Sequence, residues 1–97
     1  MTNTVTDLQE LIAAWADQIH PNRTSLNVVC KLLEELAELI GSERMADPME
    51  LADVFILVLD LAYLQGINIE DAVTKKMLIN SSREWVIEDN GRMNHVK

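Results

Sequence analysis

The sequence predicts an all-α domain of four helices, and three observations carry that reading. Apolar residues recur at helical spacing in four segments, and each segment is bounded by a cap or a breaker. No stretch of any length alternates apolar and polar residues at strand period. The third helical segment is apolar nearly all round, which is expected of an element buried on every side.

The first helix is expected from about Thr6 to Ile19, with Thr6 and Gln9 as a capping box. Leu8, Leu11, Ile12, Trp15 and Ile19 fall on one apolar stripe, and His20-Pro21-Asn22 ends the helix, because proline disfavours helix at the preceding residue. The second is expected from Ser25, as N-cap, to Ile40, with Gly41 as the stop. Its apolar face is Val28, Val29, Leu32, Leu33, Leu36, Leu39 and Ile40. At about 100° per residue, Asn27, Lys31, Glu34, Glu35 and Glu38 gather on the other side.

Asp47-Pro48 opens the third helix, with aspartate as cap and proline at the first helical position. It is expected to reach Gln65, where Gly66 stops it. Asn68 caps a fourth helix expected to continue to about Glu88, leaving Asn90–Lys97 as a loose polar tail. Three short helices cannot enclose an all-round apolar fourth, so self-association is expected to complete the bundle.

The 97 residues suit a single domain, 1–97, with one modest core. Hydrophobic residues make up 48% of the chain, and no apolar run approaches the roughly 20 residues that span a bilayer. The first residues lack the basic and apolar regions of a signal peptide. A net charge of −8 argues against nucleic acid as a partner, though not against a small phosphate bridged by metal. Cys30 is the lone cysteine, which suits a cytoplasmic protein and, on a helix, a small core residue.

Chemistry concentrates in two carboxylate couples, Glu35-x-x-Glu38 and Glu50-x-x-Asp53. Residues three apart share a helix face, so each couple aims two carboxylates one way. The acids of the second helix alone would read as a solvated face, and Glu50 as a capping residue. Asp53 and Asp60 are harder to dismiss, since they interrupt the apolar run Leu51–Leu64 and lie with Glu50 within about 80° of arc. Asp60 equally suits a buried hydrogen bond at a helix contact. Facing one another, the acidic edges of the two helices would repel unless a hard divalent ion took their oxygens. Lys76, Asn80 and Arg83 recur at i, i+4 and i+7 on the fourth helix and offer two cations and a neutral donor for phosphate.

Leu33-Glu34-Glu35-Leu36-Ala37-Glu38-Leu39, then Glu50-Leu51-Ala52-Asp53-Val54, then Lys76…Asn80…Arg83, resemble the MazG-like nucleotide pyrophosphohydrolases of the all-α NTP pyrophosphatase superfamily. The pattern there is EExxE, then ExxD, then K-x-x-x-N-x-x-R, and the match covers about Trp15 to Trp85. The resemblance implies a MazG-like bundle working as a homodimer or homotetramer. It also implies Mg²⁺- or Mn²⁺-dependent cleavage of a nucleoside triphosphate to the monophosphate and pyrophosphate, in housecleaning of nucleotide pools. Carried over, Glu35, Glu38, Glu50 and Asp53 become metal ligands, and Glu34 joins Glu35 and Glu38 in the catalytic set, either behind the metal's direct ligands or orienting the attacking water. Lys76, Asn80 and Arg83 become phosphate contacts that can reach a neighbouring subunit's site. Trp15, His20, Asn27 and Lys31 fall around the loop that lies near the nucleotide in similar proteins. The linker Leu39–Met49 is short for the superfamily, which restricts any lid. Two alternatives stay open: a phosphoribosyl-ATP pyrophosphohydrolase, and a non-catalytic acidic helical module that binds a basic partner.

Overall fold

The computed structural model describes residues 4–41, 45 and 47–96. Part of the short linker therefore lies outside the described residues, as do Met1–Asn3 of the N-terminus and Lys97. Four helices follow in order: α1 Val5–Ile19, α2 Ser25–Ile40, α3 Pro48–Leu64 and α4 Ile69–Ser81. Two short strands close the chain, β1 Trp85–Ile87 and β2 Met93–His95.

Caps set the helix starts, one or two residues from the expected positions in two cases. Thr4, rather than Thr6, caps α1 and accepts the Asp7 N–H. Thr24, rather than Ser25, caps α2 in a reciprocal box with Asn27, at 3.0 and 3.1 Å. Asp47 and Asn68 cap α3 and α4 as expected, and Gly41 is the α2 C-cap. Gly66 ends α3 with a φ of +69°, a left-handed conformation that costs glycine nothing. Ile67 N–H donates to Ala62 O at 2.8 Å and Gly66 N–H to Tyr63 O at 3.0 Å, the paired bonds of a Schellman stop. The chain bends by 101° between α3 and α4.

The expected fourth helix to Glu88 and the expected loose tail are both corrected. α4 stops at Ser81, and β1 pairs antiparallel with β2, Val86 opposite Asn94. The turn that joins them, Glu88 to Arg92, has Gly91 at φ +83° and the Gly91 N–H bonded to Glu88 O at 2.8 Å. Asn90-Gly91 is the local signal for that hairpin. Three residues per strand are too few to show an alternation, which is why the sequence pattern conceals it.

α3 packs against both α1 and α2, while α4 packs chiefly against α1. The buried apolar residues are Ala13 and Ala16 of α1, Val28 of α2, and Leu59 and Ala62 of α3. The apolar residues that α1 buries are thus small, while larger members of its apolar stripe face outward. Leu11, Trp15 and Ile19 are all more than half exposed. Phe55 and Leu51 of α3 are likewise uncovered, so α3 is not buried on every side within one chain. Cys30 is exposed, not a core residue. Among the described residues, no single helix is long and apolar enough to cross a membrane.

Gln9, buried on α1, holds the α3–α4 turn from both sides. Its Nε2 donates to Ile67 O at 2.7 Å, and its Oε1 accepts the Ile69 N–H at 3.1 Å. Gln9→Leu leaves a part-buried carbonyl and amide without this partner, and is expected to cost about 1–3 kcal/mol, read from the urea midpoint at unchanged slope.

Candidate active site

α2 and α3 lie side by side, and this brings acidic groups from both helices together. One carboxylate oxygen each from Glu35, Glu50 and Asp53 lies within 4.8 Å of the others. Glu35 and Glu50 are half-buried and Asp53 is exposed, so the cluster sits at the edge of the helix pair with access to solvent. A hard divalent ion holds oxygens at about 2.1 Å, so its ligands lie about 3 Å apart when adjacent and about 4.2 Å when opposite. Small side-chain rotations close the present spacing to that range, and three carboxylates are the donors such an ion prefers. The residues fit a divalent metal.

Glu38 stands one turn on from Glu35, exposed, and is not one of the three clustered oxygens. Glu34 is exposed as well and pairs with Lys31, whose Nζ lies 3.6 Å from Glu34 and 3.4 Å from Glu35. The charge of Glu34, and then the bond to Glu35, hold the Lys31 ammonium above its ordinary pKa.

Asp60 shares the arc of Glu50 and Asp53 but not their cluster, and takes the buried hydrogen bond that the sequence equally allowed. It lies two turns further along α3, buried, and takes both arms of Arg23: Nε to Oδ2 at 2.7 Å and Nη2 to Oδ1 at 2.6 Å. Arg23 Nη1 donates to Asp17 Oδ1 at 2.8 Å and to His20 O at 3.2 Å. Its guanidinium lies 5.8 Å from the Tyr63 ring centroid, and Tyr63 Oη donates to Asp17 Oδ2 at 2.8 Å. Asp60, then Asp17, raise the arginine's pKa further above an already high value. The bonds from Arg23 and Tyr63 hold the Asp17 carboxyl below the ordinary carboxylate range, and Asp17 in turn raises the Tyr63 phenol.

Beside this ion pair is a cavity of about 200 Å³. Its walls are largely apolar, from Trp15, Ile19, Val28 and Leu57, with His20, Asn27 and Lys31 as polar groups. The four residues that the resemblance places near a nucleotide, Trp15, His20, Asn27 and Lys31, thus line one space. Lys31 connects it to the acid cluster through Glu35. His20 is also the α1 C-cap, its N–H on Ala16 O. Arg23 is the lining residue that sequence reasoning passed over. Its partner stands 37 positions away, and such pairing leaves no local signature.

The basic trio is only partly on one helix face. Lys76 is exposed on α4 and Asn80 is half-buried near its end, but Arg83 lies beyond the helix, its N–H on Asn80 O at 3.2 Å. The Asn80 backbone carbonyl accepts the Trp85 indole N–H at 2.9 Å, tying α4 to the hairpin. Its Oδ1 is buried with no hydrogen-bond partner among the described residues.

Comparison with known proteins places these features in context. A model of the dATP/dGTP pyrophosphohydrolase family matches residues 8–97. A dATP/dGTP diphosphohydrolase of Cyanophage S-2L is 48% identical over 96 residues, covering 99% of this chain and 91% of that protein. A dATP/dGTP diphosphohydrolase of Salmonella phage PMBT28 is 46% identical over 95 residues, 98% of this chain but 32% of its own length. A solved structure, the Cyanophage S-2L MazG-like pyrophosphohydrolase bound to dGDP and three catalytic Mn²⁺ ions per active site, superposes with a TM-score of 0.88. It is 47% identical, and the match covers 99% of this chain and 100% of that one.

Proposed function

We propose that this chain, which belongs to the dATP/dGTP pyrophosphohydrolase family, cleaves purine deoxynucleoside triphosphates to the monophosphate and pyrophosphate. The observation that carries this reading is the Glu35–Glu50–Asp53 cluster standing next to a base-sized apolar cavity, with Lys31 at their junction. Drug-sized ligands need about 300–1,000 Å³, so a 200 Å³ cavity suits one flat base with sugar and phosphates outside it.

Glu35, Glu50 and Asp53 hold the metal, with Glu38 joining from the next turn of α2. Bound divalent ions supply charge neutralisation of the phosphate oxygens and a lowered pKa for a coordinated water. Mg²⁺ and Mn²⁺ share the required oxygen chemistry. Glu34, one position from Glu35 and open to solvent, orients the attacking water and accepts its proton. Lys31 and Asn27 contact sugar and phosphate, and the base enters between Trp15 and Leu57. Lys76, Asn80 and Arg83 balance the leaving pyrophosphate in the site of a second copy, since α4 packs against α1 and not beside the acid pair. Self-association is supported independently by the uncovered Leu11, Ile19, Phe55, Met77 and Leu78. Removal of such triphosphates suits a housecleaning or pool-shaping role in the cytoplasm.

Pyrophosphate release measured over the four dNTPs, the four NTPs and phosphoribosyl-ATP, with Mg²⁺ or Mn²⁺, tests the assignment. dATP and dGTP are expected to lead by tenfold or more in kcat/KM, and EDTA to abolish release. Turnover that survives chelation, or pyrimidines that lead, would defeat the proposal.

A further inference from the structure

α3 presents one stripe with two uses. Glu50, Asp53, Leu57 and Asp60 fall at i, i+3, i+7 and i+10, and so share a face. The first two belong to the carboxylate cluster, and the last two form part of the cavity wall. From the 1.5 Å rise per residue, Asp53 and Asp60 stand about 10 Å apart along the axis. The cavity's other walls come from α1, α2 and the connection between them, His20 to Thr24, and that connection has no element of its own to fix it. Arg23, in the middle of that connection, does so. Four of its hydrogen bonds reach Asp60, Asp17 and the His20 carbonyl, so α3, α1 and the loop meet on one side chain. Asn27, in the first turn of α2, has its Oδ1 committed to the Thr24 N–H and so ties the start of that helix to the end of the connection.

We propose that Arg23 and Asp60 are a positioning pair, which sets the base cavity in register with the metal-holding carboxylates of the same helix. The proposal rests on the nucleotide reading above. Both side chains are at least nine-tenths buried, which suits a rigid fork better than a direct phosphate contact. The pair acts through His20 and Asn27 at the rim, so its loss moves the base relative to the phosphates without removing a ligand of the metal.

The test is the double variant Arg23→Met/Asp60→Leu, which replaces a buried ion pair by apolar groups of similar volume, an exchange that buried pairs often tolerate. KM for the preferred deoxynucleotide is expected to rise about tenfold or more, while kcat falls less than threefold and the Mn²⁺ titration midpoint stays within twofold. Amides of residues 22–27 should exchange hydrogen at least fivefold faster, and those of residues 50–57 at an unchanged rate. Arg23→Lys keeps the charge but loses the fork, and should raise KM in the same direction by less. Wild-type KM in either folded variant overturns the proposal alone. A wild-type protein that neither hydrolyses nor binds deoxynucleotides overturns the functional reading, and this inference with it.

Discussion

Asp53→Asn and Glu50→Gln are each expected to lower turnover of the preferred deoxynucleotide about a thousandfold while the protein stays folded. Metal at a phosphoryl centre contributes several kcal/mol of transition-state stabilisation, and each 1.36 kcal/mol is a factor of ten in rate. Each of these residues offers one of the three oxygens that cluster within 4.8 Å among the described residues. An amide offers a weaker, uncharged donor, so the remaining pair holds the ion poorly. Stability should not fall, because removing one of three crowded like charges relieves repulsion. The check is kcat at saturating metal and nucleotide, beside a thermal melt. Activity within tenfold of wild type would exclude the substituted residue from the metal site. Glu38→Gln is the informative companion, because that side chain stands a turn away from the trio.

Arg23→Met alone is expected to destabilise the fold by about 3–5 kcal/mol, the usual cost of leaving one member of a buried ion pair behind. Asp60 is 5% exposed and its carboxylate accepts both arms of the guanidinium, so the single variant leaves a charge away from water. Domains carry about 0.05–0.15 kcal/mol of stability per residue, so this loss would consume much of what a chain of this size possesses. Urea unfolding measures it directly. A loss below about 1 kcal/mol would mean that water reaches the stranded carboxylate. Comparison with the double variant separates the two roles of the pair, since fold stability should return there while KM does not.

How much of this could be read from the sequence depends on whether the signal is local. Asp47-Pro48 and Asn68 announce their helices because a cap acts within one turn. Glu35, Glu50 and Asp53 were legible because ordered acid couples in otherwise apolar helices have few tolerable arrangements. The apolar stripe of α1 carries Leu11, Trp15 and Ile19, yet the apolar residues that α1 buries within the chain are Ala13 and Ala16. The apolar girth of α3 exceeds what one chain covers, as expected, and leaves Leu51 and Phe55 about half exposed. Periodicity identifies an apolar face but not what covers it. The hairpin is concealed because helical spacing runs on through Trp85, while α4 stops at Ser81 and the strands turn at Asn90-Gly91. The Arg23–Asp60 pair and the Gln9 clamp join residues 37 and about 60 positions apart, a distance at which spacing carries no information.

The Gln9 clamp also bears on the order in which the molecule assembles. The α2–α3 pair joins neighbours in sequence, whereas Gln9 meets Ile67 and Ile69 across 58 and 60 positions, so it closes a loop that spans more than half of the chain. Closure of such a loop sacrifices chain entropy before any contact repays it, which makes it a late event. The first helix therefore docks onto a scaffold that already exists. In stopped-flow experiments, the penalty of Gln9→Leu should fall on the unfolding limb, with the refolding rate nearly untouched.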